Sequence, residues 1–382
     1  MSVISSQRLQ AIDALRGLVI IIMMLDHVRE TFYLHHQVSD PMHVQEVEPA
    51  LFFSRSLAHL CAPVFVLLTG LSAFLYQQKY DLKMTREFLF KRGLFLVILE
   101  LTVVNFAWTG QFPPQVIYLQ VIWAIGLSML ALSLLIALPQ KLQWLLAIGI
   151  IALHNLLDQL SFQGVTGLHA LWSILHQRDW IEIGQSLRLR TTYPVLPWIG
   201  VILLGYCLGH SYFSSGISVA QRNKRLLGYA LGSITLFIVL RLLNVYGDQS
   251  WLLLDSNIQT WMSFFNLTKY PPSLLFILWN TGVGVLILLA LSKVEQSAWV
   301  KPLIVFGSVP MFFYIVHLYV LKLLYVIAVQ IWGSNQGQYF GVNQVSYLWL
   351  IMLILLVALY PAVQAFSKFK HANKQIAILK YF

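Results

Sequence analysis

The chain has 382 residues, of which 58% are hydrophobic and only 10% are charged. A soluble domain carries about 25% charged residues, so a globular surface facing water is excluded and the exterior must meet hydrocarbon. The net charge of +10 does not call for nucleic acid, because the basic residues sit where membrane topology places them.

Ten windows approach the roughly 20 apolar residues that a spanning helix needs. They are 12–34, 55–77, 90–108, 115–138, 142–158, 193–213, 225–246, 272–292, 303–331 and 345–366. The expected fold is all-α: a polytopic integral membrane protein of about ten transmembrane helices, with residues 1–382 as one transmembrane domain. The first apolar run holds Arg16, Asp26 and His27 and is followed by no small-residue cleavage site. It is expected to be a retained helix, not a cleaved signal.

That first window carries the densest set of ionisable groups. Asp13 precedes Arg16 by three residues and can pair with it on a helix. Arg16 and His27 are eleven residues apart, close to three turns, so both project from one face. The stripe has a fixed cation at one end and a titratable imidazole about 16 Å along. A histidine at that depth suits general-base work near neutral pH. A structural role, in which the ring bonds to a neighbouring helix, explains the same residue equally well.

The second window holds His59 ahead of Pro63, and the third holds Glu100 at its middle. A carboxylate in hydrocarbon needs a cation or hydroxyl, or must be protonated. Arg241 and Lys322 are available by composition. The longest polar connection, 159–192, contains Trp172 and Trp180, with a short interfacial helix expected around Leu168–His176. Arg188 and Arg190 alternate at its end and could face one acceptor. A second interfacial helix is expected at Ile258–Asn266, before Tyr270-Pro271-Pro272. Asn280 and His317 lie at mid-membrane depth, and the long ninth window is expected to bend after Pro310. Cys61 and Cys207 lie in apolar stretches as core thiols.

Lysine and arginine orient the chain. Arg8, the group Lys79, Lys83, Arg86, Lys91 and Arg92, then Lys141, Arg222, Lys224 and Arg225, Lys293, Lys301 and the C-terminal lysines fall in alternate connections; the exception is 159–192, which holds Arg178, Arg188 and Arg190. The positive-inside rule then puts both termini in the cytoplasm. No phosphate-binding Walker loop, HExxH or GxSxG is present. The loop histidines His35, His36 and His43 have irregular spacing, and no metal is expected.

The residues around this stripe resemble a known superfamily. Arg16 and His27 match the Arg-x10-His pattern of membrane acyltransferases of the acyltransferase-3 type. More of the chain is similar to proteins with a heparan-α-glucosaminide N-acetyltransferase catalytic domain. The matching stretches are Ile12-Asp13-Ala14-Leu15-Arg16-Gly17, Ala62-Pro63-Val64-Phe65-Val66 with Thr69-Gly70, Lys91-Arg92-Gly93, Leu119-Gln120, Tyr193-Pro194-Val195-Leu196-Pro197-Trp198 with Gly205, and Phe306-Gly307-Ser308-Val309-Pro310.

The resemblance implies an enzyme that takes an acyl group, usually acetyl, from cytoplasmic acyl-CoA. It passes that group to a hydroxyl or amine on the far side of the inner cell membrane, with an envelope glycan or glycolipid as acceptor. Membrane lipids and a second copy of the chain, as a homodimer, complete the expected partners. His27 would be the catalytic base, with His59 and Glu100 as further catalytic candidates. Asp13, Arg16 and Arg92 would bind the acyl-CoA co-substrate, with Lys91 and Arg225 beside Arg92 as a basic mouth. Arg188, Arg190 and His317 would face the acceptor. Eukaryotic relatives have Asn where His27 stands, and Val38 occupies the place of their catalytic histidine, so the role passes first to His27, then to His59, then to His35 or His36. A secondary transporter is the alternative class, although the internal repeats and paired broken helices of transporters are not evident. A non-catalytic partner subunit is the third.

Overall fold

Prolines, glycines and caps divide the apolar windows into elements. A computed structural model describes residues 3–213 and 218–382, with side chains over 10–210 and 218–382. Arg8 lies in the first helix, but its side chain falls outside the described residues. In chain order the elements begin with α1 (Val3–Phe32), α2 (Pro49–Ala58), α3 (Cys61–Gln77) and α4 (Leu82–Leu99). A π-helical turn, Glu100–Val104, joins α4 to α5 (Asn105–Thr109). Next come β1 (Val116–Leu119), α6 (Val121–Leu135), α7 (Gln140–Leu153), a 3₁₀ turn at His154–Leu157, and α8 (Thr166–Leu175). Then follow β2 (Trp180–Ile183), β3 (Leu187–Thr191), α9 (Leu196–Phe213), α10 (Val219–Leu243) and α11 (Asn257–Phe264). The chain closes with α12 (Leu274–Val294), α13 (Lys301–Ser308), α14 (Pro310–Trp332) and α15 (Val345–Ala372).

The local causes are visible. Asp81 caps α4, its side chain accepting from the Met84 N–H at 2.7 Å. Ser218 and Gln221 form a capping box at the start of α10. Gly110 takes a left-handed conformation (φ 67°) and stops α5. The second window is two helices because Pro63 lacks an N–H and its ring crowds the carbonyl four residues earlier. That carbonyl belongs to His59, where α2 ends. The ninth window breaks at Val309, one residue before the bend expected after Pro310, because a residue preceding proline is pushed out of the helical region. Val309 has φ −137° and ψ 52°.

Two expectations need correction. The fold is mostly helical but not all-α, since β1, β3 and β2 form a three-stranded sheet in that order. β1 pairs parallel to β3, and β2 pairs antiparallel to it. The window at 115–138 therefore opens as a strand; Val116, Ile117 and Tyr118 are strand formers and find partners in Arg188, Leu189 and Arg190. Both interfacial helices are present, as α8 and α11.

Among the described residues, five helical segments are long and apolar enough to cross a membrane: Pro49–Gln77, which joins α2 and α3 end to end, Val219–Leu243, Leu274–Val294, Pro310–Trp332 and Val345–Ala372. The helices α6 and α7, with 15 and 14 residues, rise only about 20 Å, short of a 30 Å hydrocarbon core. Leu350, Leu353, Ile354 and Val357 of α15 are exposed, Val357 to 74%. An apolar face of that extent is tolerated against lipid, not water.

The chain falls into two compact units. One comprises residues 1–61, 252–266 and 287–382; the other comprises 62–251 and 267–286. In the first, α1 is the central element and packs against α13, α14, α15 and α2. Its crossing with α13 is backbone to backbone. A Cβ on Gly17 would lie 1.9 Å from the Leu303 carbonyl oxygen, and one on Gly307 would lie 1.7 Å from that of Asp13. The second unit repeats the device where α3 meets α9: a Cβ on Gly70 would sit 1.9 Å from the Ile202 oxygen, and one on Gly205 2.0 Å from that of Leu67. Small residues permit such close approach where no hydrophobic force distinguishes helix from lipid.

Candidate functional site

The stripe on α1 survives intact because α1 is one unbroken helix from Val3 to Phe32. Asp13 and Arg16 form the expected pair, Arg16 Nη1 donating to Asp13 Oδ1 at 3.0 Å. Both remain partly accessible, with side-chain exposures of 27% and 22%. Two groups not anticipated from sequence join them. Lys370 and His371, at the end of α15, interact electrostatically with Asp13, and Lys370 Nζ donates to the Ser308 carbonyl at 2.8 Å. The Gly17–Gly307 crossing brings α13, and with it Ser308, against this end of α1. The result is a predominantly cationic cluster.

Further along α1, His27 is buried and meets His317 of α14. His27 Nδ1 and His317 Nε2 lie 2.7 Å apart, and the two rings are nearly coplanar, edge to edge, with centroids 5.0 Å apart. The proton positions follow from the next link. His317 Nδ1 lies 2.7 Å from the Phe313 carbonyl oxygen, which can only accept, so Nδ1 carries the proton. In the neutral ring His317 Nε2 is then an acceptor, and His27 Nδ1 must donate to it. The basic lone pair of His27 is thereby assigned to Nε2. This is the logic by which a partner of one ring nitrogen sets the chemistry of the other. Tyr314 meets His27 edge-on, with centroids 5.6 Å apart.

Beside His27, one turn holds a buried ion pair that sequence reading passed over. Arg29 Nε donates to Asp26 Oδ1 at 2.8 Å, and Arg29 Nη2 donates to Glu30 at 3.1 Å. The signal was present: Asp26 and Arg29 stand three residues apart. Pairing lowers the cost of burying these charges on α1.

His59 is buried at the α2–α3 break, where its backbone N–H caps Arg55. His35 and His36 form an aromatic group with Tyr33 in the connection after α1. Desolvation, then the neighbouring His36, holds His35 below its ordinary pKa. Val38 packs with Met42, Phe52 and Met262 in an apolar cluster. It is a core residue.

The other predicted residues belong to the second unit. Glu100 is fully buried at the π turn, and its Oε2 accepts the Trp123 N–H at 3.0 Å at the start of α6. Its other oxygen, Oε1, has no hydrogen-bond partner among the described residues, so the helix N-terminus favours the group without satisfying it. Arg241 donates instead to the Gln249 carbonyl at 2.6 Å. Asn280 donates to the Phe276 carbonyl of its own helix. Arg92 approaches the face of Phe88, 6.0 Å from its centroid, Lys91 is paired with Glu87, and Arg225 is exposed. Arg188 and Arg190 do share one face of β3, but both guanidinium groups lie over the Trp180 ring, at 4.5 and 5.1 Å. Arg188 also pairs with Glu182 at 2.8 Å.

The first unit thus joins Asp13 and Arg16 in one cluster, and His27 and His317 in another, along one helix. A cation cluster can hold an anion, and a neutral imidazole with a directed lone pair can take a proton. A protein-family model described as heparan-alpha-glucosaminide N-acetyltransferase, catalytic, matches residues 8–246. The match includes Asp13, Arg16, His27, His59, Arg92, Glu100, Arg188 and Arg190, while His317 lies beyond it. No curated protein matches the chain. With more than half its length covered, the chain belongs to the heparan-alpha-glucosaminide N-acetyltransferase catalytic family, and so to the transmembrane acetyltransferases.

Proposed function

We propose that the protein moves an acetyl group from cytoplasmic acetyl-CoA to a hydroxyl or amine of an envelope glycan or glycolipid on the opposite side. The observation that carries this reading is that His27, hydrogen-bonded to His317 of α14, lies on the same helix as Arg16, about 16 Å along its axis. In this reading ten helices cross the inner membrane and both termini are cytoplasmic.

His27 Nε2 takes the proton from the acceptor O–H or N–H as that atom attacks the thioester carbonyl; the C–S bond then breaks, and CoA leaves as the thiol with the proton that His27 returns. Between these two steps positive charge rests on the His27 ring. It is stabilised through the Nδ1–H donated to His317 Nε2, which is kept receptive by the His317 bond to the Phe313 carbonyl. The hydrogen-bonded chain from His27 through His317 to the Phe313 carbonyl holds both rings in place. At the other end of the stripe, Arg16, Lys370 and His371 attract the phosphates of the donor. Asp13 keeps Arg16 extended. Arg188 and Arg190, platformed on Trp180, are the residues assigned to the acceptor, and Glu100 holds the start of α6.

The experiment is single-turnover acetyl release from labelled acetyl-CoA by the full chain in lipid, beside His27→Ala. A positioned base contributes about 10²–10⁴-fold. Loss of that size with donor binding retained supports the reading. Turnover equal to the wild type in His27→Ala refutes the assignment. Absence of donor binding in both would move the function to solute transport.

A further inference from the structure

At the end of α7, in the second unit, three side chains converge that the acetyl-transfer reading does not use. His154 opens the 3₁₀ turn after α7, Asp158 follows it, and His176 ends α8. We propose that His154, Asp158 and His176 bind a divalent transition-metal ion of the zinc class.

The first observation is an unmet need. Both imidazoles are 2% exposed. Neither ring nitrogen of His154 has a hydrogen-bond partner among the described residues, and neither does His176 Nδ1. Burying a polar ring nitrogen without a partner is costly, and such a group calls for a water or an ion. The second observation is convergence. One ligand atom from each of the three residues lies within 4.8 Å of the other two. The rings of His154 and His176 meet edge to face, with centroids 5.7 Å apart. Asp158 is aimed by two bonds: Oδ1 accepts from His176 Nε2 at 2.8 Å, and Oδ2 accepts from Asn155 at 2.9 Å.

The chemistry of the donors selects the ion. Two imidazoles and one carboxylate suit zinc and its borderline neighbours, whereas magnesium and calcium take oxygen sets. Zinc–ligand bonds of about 2.0–2.2 Å leave ligand atoms roughly 3.3 Å from one another. Small ring rotations close the present spacing. The ion takes the place of the proton now between His176 Nε2 and Asp158 Oδ1, and that proton leaves to solvent. Three protein ligands leave a fourth position open. Asp158, with 46% of its side chain exposed, supplies the path from water. Bound there, the ion ties the end of α7 to α8.

The site owes nothing to the acetyl-transfer reading. His154 and Asp158 flank the 3₁₀ turn, and the tertiary fold brings His176 to them. The test uses untagged full chain in detergent, stripped with chelator and titrated with Zn²⁺ by calorimetry and with Co²⁺ by visible absorption. One ion per chain is expected, with Co²⁺ bands of low-symmetry coordination. Asp158→Asn and His176→Gln should each weaken binding at least tenfold. A triple variant replacing His35, His36 and His43 by Ala should leave it unchanged. If His176→Gln fails to fold, Asp158→Asn decides, since its half-exposed side chain tolerates the change. Binding below one ion per ten chains, binding unaffected by Asp158→Asn, or binding lost in the triple variant would each overturn the site.

Discussion

Replacing Gly307 by alanine tests the backbone contact that positions the cation cluster. The added Cβ would meet the Asp13 carbonyl oxygen at 1.7 Å, with the carbonyl carbon at 2.6 Å and the Gly17 nitrogen at 2.8 Å. All three are backbone atoms, so no side chain can swing aside. Ordinary contact begins at 3.4 Å; the two helices must therefore separate by about 1.7 Å along that line. Overpacking of this kind costs roughly 1–3 kcal/mol. It also carries Asp13 and Arg16 away from Ser308 and Lys370. Gly228→Ala is the matched control, since a Cβ there meets nothing within 4 Å, and alanine is the better helix former by about 1 kcal/mol. Thermal unfolding in detergent, followed by size-exclusion fluorescence, should place Gly307→Ala clearly below the wild type and Gly228→Ala at or above it. If Gly307→Ala melts with the wild type, the close crossing of α1 and α13 is wrong, and the placement of Arg16 beside α13 falls with it.

His317→Phe keeps an aromatic ring beside Phe313 but removes the acceptor that holds the His27 tautomer. Acetyl transfer should fall about 10–100-fold, less than in His27→Ala, with donor affinity unchanged; equal rates would dissolve the relay. Glu100→Gln retains an oxygen for the Trp123 N–H and should fold normally, whereas Glu100→Ala should lose about 1–3 kcal/mol in a denaturation series. A large transfer defect in Glu100→Gln with intact folding would restore Glu100 to the chemistry. Arg188→Ala removes an exposed pair worth about 0–1 kcal/mol, so the melting point should barely move while any acceptor KM rises. Single cysteines placed at Asn335 and at Lys224 should label from opposite sides of sealed vesicles, and labelling from the same side would refute the ten-span topology.

Much of the protein was legible from residue order because its determinants are local. The apolar windows, the interfacial segments around Leu168–His176 and Ile258–Asn266, and the Asp13–Arg16 pair depend on composition and on spacing along one helix. The Arg16–His27 stripe needed only an unbroken helix between them. The motif glycines Gly17, Gly70, Gly205 and Gly307 were visible as family features, but their purpose was not. Each marks a backbone crossing between segments far apart in the chain, which no local pattern encodes. The strand at Val116–Leu119 was read as helix for the same reason. Its partner is some seventy residues away, at Leu187–Thr191, and strand preference yields to context.

The candidate site divides along the same line. Residue type and spacing determined by themselves that α1 carries a cation and an imidazole on one face, and that the chain must lie in a bilayer. Tertiary structure alone decided that His317, 290 residues on, meets His27 at 2.7 Å. It likewise brought Lys370 to Asp13, and His176 to His154 and Asp158. A helix sets the geometry of residues a few turns apart through its own hydrogen bonds. Which imidazole faces which is set by the packing of helices against one another, and that depends on the whole chain at once.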